Sequence, residues 1–208
     1  MRALIIGASS RKSIGYHIGE DLRRQGTTVV YASRSGSLGY KCDVTDFAAV
    51  TNLFEKERPD VVIHAAGGAF LNPVALGACV DWSAMAEHIA AKSFGTIVLL
   101  DAAKRTGSVK YFVALGGRPK FGDEKMAAYA TGNGALWSAI EFANEYVPEF
   151  NSFYVDMPIV IGTKNADGLI AAGAHTQSEH AQAIPVERVI EAVNDIIKGK
   201  KVPGRVPL

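Results

Sequence analysis

The sequence predicts one doubly wound α/β domain with a parallel sheet, spanning residues 1–208. Three observations predict it. Short apolar runs alternate with helical patterns along the whole chain, as in successive crossover units. The runs are continuous rather than alternating, as strands buried on both faces should be. No internal repeat or low-complexity linker divides the chain. The composition agrees, with 48% hydrophobic and 21% charged residues, ordinary values for a globular protein. A domain of this length buries roughly 70% of its unfolded surface, so its core needs no metal or disulfide staple.

The elements follow in order. Residues 3–6 (Ala-Leu-Ile-Ile) read as the first strand. Residues 14–25 carry Ile14, Ile18 and Leu22 at helical spacing and stop at Gly26. Residues 28–32 form a second strand and residues 39–42 a short third. Residues 46–57 form a helix capped by Asp46 and followed by Pro59. Residues 60–65 are the fourth strand, and residues 82–105 a helical stretch with a break expected near Gly95. Residues 110–115 are the fifth strand, residues 125–147 a long helix ended by Pro148, residues 152–156 the sixth strand, and residues 186–198 the last helix.

Charge and cysteine content narrow the function. Lys and Arg number 22 against 21 Asp and Glu, a formal charge of +1, so no global field draws the chain to nucleic acid or an anionic membrane. No apolar run approaches the ~20 residues that span a bilayer. The apolar start, Met1 to Gly7, is too short for a signal peptide, and a cytoplasmic protein is expected. Cys42 and Cys79 stand in no metal-ligand spacing and read as reduced thiols.

In a doubly wound sheet, ligands bind beyond the carboxyl ends of the strands. After the first strand comes Gly7-Ala-Ser-Ser-Arg-Lys-Ser-Ile-Gly15. A small-residue turn entering a helix offers free backbone N–H groups and the positive end of the helix dipole to a phosphate. Gly7 permits the tight turn and Gly15 a close helix–strand approach. Ser9, Ser10 and Ser13 add hydroxyls, Arg11 and Lys12 add charge, and Ile14 opens the helix. After the second strand come Ser33 and Arg34. An acid here suits a ribose 2′-hydroxyl, whereas an Arg suits a 2′-phosphate. The expected cofactor is NADP(H).

Four further segments complete a family resemblance: Cys42-Asp43-Val44, His64-Ala65-Ala66-Gly67, Tyr129 on the long helix, and Pro158-Ile159-Val-Ile-Gly-Thr163. In this order, from residue 7 to residue 163, they resemble the short-chain dehydrogenase/reductase superfamily, whose domain is Rossmann-type. The resemblance implies that Asp43 and Val44 touch the adenine, that Ala65, Ala66 and Gly67 line the cofactor cleft, that Tyr129 is the catalytic tyrosine, and that Pro158, Ile159 and Thr163 close over the nicotinamide. The spacing from Gly7 to Ser13-Ile14-Gly15 is similar to the divergent branch that includes enoyl-acyl-carrier-protein reductases.

The chain also departs from that pattern. The family's Lys, four residues after the Tyr, is Asn133; the Ser, 13 residues before it, falls on Gly116; and the Asn of the preceding helix is Lys92. In the divergent branch the Lys follows its Tyr by seven residues; seven before Asn133 stands Met126, so that pair is absent too. Asn and Lys are thus exchanged. The expectation is a positional swap in which Lys92 acts electrostatically on Tyr129 and Asn133 is a hydrogen-bonding strut. Loss of the Ser removes an oxyanion donor, worth roughly 10²–10³-fold in rate where tested, which suits an activated substrate such as an iminium or enone.

The expected function is an NADP(H)-dependent reductase of a small carbonyl, enone or imine. The alternative is an NADP-binding protein with a regulatory, scaffold or other non-redox role. A hydrolase has less support, because Gly-x-Ser-x-Gly is absent and the five histidines form no acid–nucleophile pairing. No metal site is expected, although His175, Glu179 and His180 have ligand chemistry. Residues 164–184 read as a substrate lid. The partners expected are a small-molecule substrate and a second copy of the chain, in a dimer formed through the two long helical stretches. The chain's short end puts the family's usual tetramer interface in question.

Overall fold

A computed structural model describes residues 1–67, 82–117, 127–163, 166–167 and 182–208. A seven-stranded, all-parallel sheet has the order β3-β2-β1-β4-β5-β6-β9, built from β1 (Arg2–Ile6), β2 (Thr28–Ser33), β3 (Tyr40–Lys41), β4 (Val61–His64), β5 (Tyr111–Gly117), β6 (Asn151–Met157) and β9 (Gly204–Pro207). The strand order reverses between β1 and β4, and a doubly wound sheet opens its cleft at that point.

The apolar runs are explained by two-sided burial. In β1, Leu4 and Ile6 enter one core while Ala3 and Ile5 enter the other. The first core takes α2 (Phe47–Glu57) through Val50, Leu53 and Phe54, α4 (Phe94–Thr106) through Leu99, and α5 (Ala127–Tyr146) through Leu136 and Ile140. The second takes α1 (Ile14–Arg24) through Ile18 and Leu22, and α6 (Val186–Ile197) through Val189, Val193 and Ile196. Asp46 caps α2 by accepting from the Ala49 N–H at 3.0 Å.

The stretch 82–105 is two helices, α3 (Trp82–Lys92) and α4, broken at Ser93, close to Gly95 as expected. Gly95 lies inside α4, where an added Cβ would meet Val44 Cγ2 at 2.5 Å; it allows close packing rather than ending a helix. A strand the sequence reading omitted, β9, pairs with β6 from Phe153↔Gly204 to Asp156↔Pro207. The sequence reading also omitted a two-stranded sheet of β7 (Val160–Ile161) and β8 (Ile184–Pro185). Met126, Cys79, His175, Glu179, His180 and most of 164–184 lie outside the described residues. Among the described residues, no helix is long and apolar enough to cross a membrane. Burial keeps the Cys42 thiol protonated, pushing it up to about 11.

Candidate functional site

The β1–α1 turn is a backbone cradle. Gly7 has φ +103°, and a Cβ there would meet the Ala65 carbonyl oxygen at 2.5 Å and collide with the Ala66 nitrogen. Any other residue would be strained and would force the ends of β1 and β4 apart. Gly15 lies where an added Cβ would be 3.0 Å from Ile5 Cγ2 and 3.4 Å from Ala65 Cβ, and Gly19 sits against the Tyr31 hydroxyl. Both glycines let α1 approach the sheet. Ser13 is the N-cap: its Oγ accepts from the Tyr16 N–H at 3.3 Å and donates to the Ser10 carbonyl at 2.7 Å. The N–H groups of Ile14 and Gly15, in the first helical turn, have no intrahelical acceptor. Ser10 Oγ is buried without a hydrogen bond among the described residues. Ser9, Arg11 and Lys12 are at the surface, where Lys12 pairs with Asp167 at 3.5 Å.

The β2 end lies beside this cradle. Ser37 Oγ donates to the Ser9 carbonyl at 2.8 Å, and the buried Ser33 hydroxyl accepts from the Gly36 N–H at 3.2 Å. Arg34 extends outward and donates to Glu87 of α3 at 2.9 Å. After β3, Asp43 Oδ1 accepts from the N–H and hydroxyl of Thr45 at 2.9 and 2.8 Å, and Val44 is buried against α4.

Beyond β4 and β5 is a cluster of buried polar groups. Lys92, the last residue of α3, is buried and donates to the Leu115 carbonyl at 3.4 Å. Its stem threads between two glycines: an added Cβ would meet Lys92 Cγ at 2.7 Å from Gly67 and Lys92 Cδ at 3.3 Å from Gly132. Burial lowers its ammonium to about 8. His64, wholly buried at the end of β4, is pushed down to about 3 by burial first and then by the Lys92 charge, against a backbone interaction with Ala91. One turn before Lys92, the buried His88 ring stacks on Tyr129, with centroids 6.2 Å apart and planes at 24°.

Burial raises the Tyr129 phenol to about 12; Asn133 pulls it down and Asp156 pushes it up. Asn133 and Asp156 thus act on the phenol in opposite directions, and the Lys92 charge acts on His64. Asn133 is fully buried and its amide makes no well-formed hydrogen bond among the described residues. Tyr129, Asn133 and Lys92, the three residues of the expected swap, lie in one cluster between α3 and α5.

The missing serine has a structural counterpart. A Cβ on Gly116 would collide with the Tyr154 hydroxyl, and one on Gly117 with the Tyr129 hydroxyl. Spacing puts the family's Ser on Gly116, but the residue beneath Tyr129 is Gly117. Tyr154 is buried in β6 and donates to the Gly117 carbonyl at 2.8 Å. Beside it, the buried Asp156 pairs with Arg205 of β9 at 2.5 and 2.9 Å, and Arg205 lies 4.5 Å from the Trp137 ring centroid. His88, Tyr154 and Asp156 were not singled out from sequence. Only His88 carried a signal, its (i, i+4) spacing from Lys92 on one helix face.

Pro158 and Ile159 follow β6, and the Ile159 carbonyl accepts from the Ile184 N–H at 2.9 Å. Thr163 is buried; its hydroxyl donates to the Val160 carbonyl at 2.8 Å and accepts from the Ala166 N–H at 3.3 Å. The Thr163 hydroxyl thus holds the turn after β7.

A nicotinamide dinucleotide fits these residues. The Gly7 cradle would be closed by any Cβ, and the Ser10 hydroxyl and Asn133 amide are buried polar groups lacking well-formed partners among the described residues. Residues 3–134 match the NAD dependent epimerase/dehydratase family. The chain belongs to that family, within the short-chain dehydrogenase/reductase superfamily. No curated protein sequence matches it.

Solved structures share this chain's architecture. The crystal structure of the protein lin1944 from Listeria innocua is 20% identical, with a TM-score of 0.78 over 100% of this chain and 99% of that one. A small-chain dehydrogenase in complex with NADPH is 18% identical, with a TM-score of 0.77 over 100% of this chain and 96% of that one. A FabI–NADH complex from Alistipes finegoldii is 13% identical, with a TM-score of 0.77 over 99% of this chain and 85% of that one. At these identities the likeness establishes the fold.

Proposed function

We propose that this protein is an NADP(H)-dependent oxidoreductase that reduces a small carbonyl, enone or imine, with Tyr129 as its proton donor. The observation that carries the reading is the cluster of half-buried Tyr129 with buried Asn133 and Lys92 beyond β4 and β5, at the same end of the strands as the Gly7 cradle. The N–H groups of Ile14 and Gly15 and the hydroxyls of Ser9 and Ser10 would hold the pyrophosphate. Ser33 and Arg34 would take the adenosine 2′-phosphate, with Arg11 and Lys12 adding positive charge. Asp43 and Val44 would border the adenine, and Ala65, Ala66, Gly67, Pro158, Ile159 and Thr163 the nicotinamide half. When bound, the reduced nicotinamide supplies a hydride to the substrate carbon.

The protein's residues account for the proton. A phenol raised to about 12 by burial holds its proton at neutral pH and can give it to a substrate oxygen or nitrogen as negative charge develops there. Asn133 favours the phenolate left behind. Lys92 supplies a buried donor for the ribose or for the substrate oxygen.

Nicotinamide-fluorescence titration with NADPH and NADH, followed by ketones, enones and imines, tests this reading. Tight NADPH binding with oxidation that Tyr129→Phe reduces at least 10²-fold supports it. Absence of binding by either nucleotide overturns it. Tight binding without turnover favours a second, non-redox reading, whose specific support is that Tyr154 and Tyr129 fill the space of the missing serine.

The assembly is proposed to be a dimer through α4 and α5. Phe94 and Ile97 are exposed on α4, and Phe142 and Tyr146, in ring contact, on the neighbouring α5; a second copy would cover this apolar surface. Light scattering that shows a dimer dissociated by Phe142→Glu supports this; a monomeric wild type refutes it.

A further inference from the structure

We propose that Glu87 weakens the preference for a 2′-phosphate by competing with it for Arg34. The inference rests on the NADP(H) reading above and adds a specificity-determining residue to it. In a doubly wound sheet, the residue after β2 meets the adenosine ribose, and an acid there accepts from the 2′-hydroxyl. This chain has a cation there, Arg34, and its acid comes from elsewhere. Glu87 lies 53 residues away on α3 and accepts from Arg34 Nη1 at 2.9 Å. The next residue, His88, turns inward to Tyr129, so the helix that walls the Tyr129 cluster also carries the competitor on its outer face.

The chemistry follows from charge. A guanidinium binds a phosphate through charge-assisted, often bidentate bonds. A 2′-phosphate at Arg34 must displace the Glu87 carboxylate, and a carboxylate that stays nearby repels the incoming dianion. NADH carries a neutral hydroxyl at this position, so neither cost applies to it. The side chains of the pair are 68% and 60% exposed, which keeps the effect within the range of surface ion pairs. The loop itself is already held: Ser33, Ser35 and Ser37 bond one another, and Ser37 bonds the Ser9 carbonyl. Removing Glu87 therefore frees Arg34 without dismantling the loop. The other cation facing an acid across the cleft, Lys12 with Asp167, lies on the phosphate turn and should not distinguish the two nucleotides.

Equilibrium titration of the wild type, Glu87→Gln, Arg34→Ala and the double variant with NADPH and NADH, at low and high salt, tests the inference. Thermal unfolding confirms that each variant is folded. Glu87→Gln should tighten NADPH binding about two- to fivefold at low salt, leave NADH binding unchanged, lose most of its effect at 1 M salt, and have none in the Arg34→Ala background. If Arg34→Ala weakens NADPH but Glu87→Gln leaves the NADPH/NADH ratio unchanged or lowers it, the competition is refuted and the cofactor reading stands. If Arg34→Ala does not weaken NADPH, or neither nucleotide binds, the cofactor reading fails and the competition with it.

Discussion

Replacing Lys92 by Met tests how the cluster is built, without needing a substrate. Met keeps the unbranched length of the stem between Gly67 and Gly132 and removes the ammonium. The Lys92 ammonium is lowered by burial from its ordinary 10.5 to about 8. Each pKa unit is about 1.4 kcal/mol, so the folded state bears a penalty of about 3 kcal/mol while both folded and unfolded forms are protonated, below pH 8. Because the folded-state value is depressed, the unfolded chain binds more protons between pH 8 and 10.5. The wild type should therefore gain stability relative to Lys92→Met as pH rises through that window. Working the linkage from pH 7 to pH 9.5 gives a relative gain of roughly 2 kcal/mol. Urea unfolding of both proteins at half-unit pH steps measures it, and the comparison cancels groups common to both. Parallel stability curves would show that the Lys92 charge is solvated or paired, and would refute the buried-ammonium argument.

Three other perturbations have defined outcomes. His64 is depressed to about 3, so its contribution to stability is full above pH 6.5 and is lost as pH falls toward 3; His64→Asn should flatten the acid limb of the stability curve, measured by urea unfolding from pH 7 to pH 4. Gly116→Ser should destabilise by about 1–3 kcal/mol through overpacking against Tyr154, and Tyr154→Phe should recover part of that loss in the double variant; thermal unfolding measures both. Asp156→Asn should cost about 2–3 kcal/mol, below the ~3–5 of a fully enclosed pair because Arg205 keeps some solvent; an unchanged urea midpoint would show that the pair contributes nothing.

The sequence carried the fold well and the site unevenly, for physical reasons. Two-sided burial makes β1, β4, β5 and β6 continuous apolar runs, and such runs are visible in one dimension. The short strands β7 and β8 and the final β9 have no such run: Gly204–Pro207 buries only Val206 well, and its place is set by pairing with β6. The helix break was legible near Gly95 and falls at Ser93, but the glycine's lack of a side chain also serves packing against Val44, which sequence does not show. The cradle was legible because its glycines, serines and helix start are contiguous. His88, Tyr154 and Asp156 were not, because each enters the cluster from a different element and looks alone like core or surface.

The Gly116–Gly117 pair shows why a missing catalytic residue cannot be judged from its own position. Read alone, the loss of the serine suggests decay. In the structure the two glycines sit against two tyrosine hydroxyls, Tyr154 from β6 and Tyr129 from α5. Neither glycine can accept a Cβ unless its tyrosine moves. The Tyr154 hydroxyl is tied to the Gly117 carbonyl, at the strand end on which Tyr129 rests. A serine and these tyrosine positions therefore exclude each other, and the glycines and Tyr154 form one coupled set. The Asn133/Lys92 exchange has the same character: the amide acts on the phenol, while the amine passes between Gly67 and Gly132, two positions where a side chain would block its path. Gly116 and Gly117 lie where the two tyrosines need space, and Gly67 and Gly132 where the Lys92 stem does, so these positions have to be read as sets.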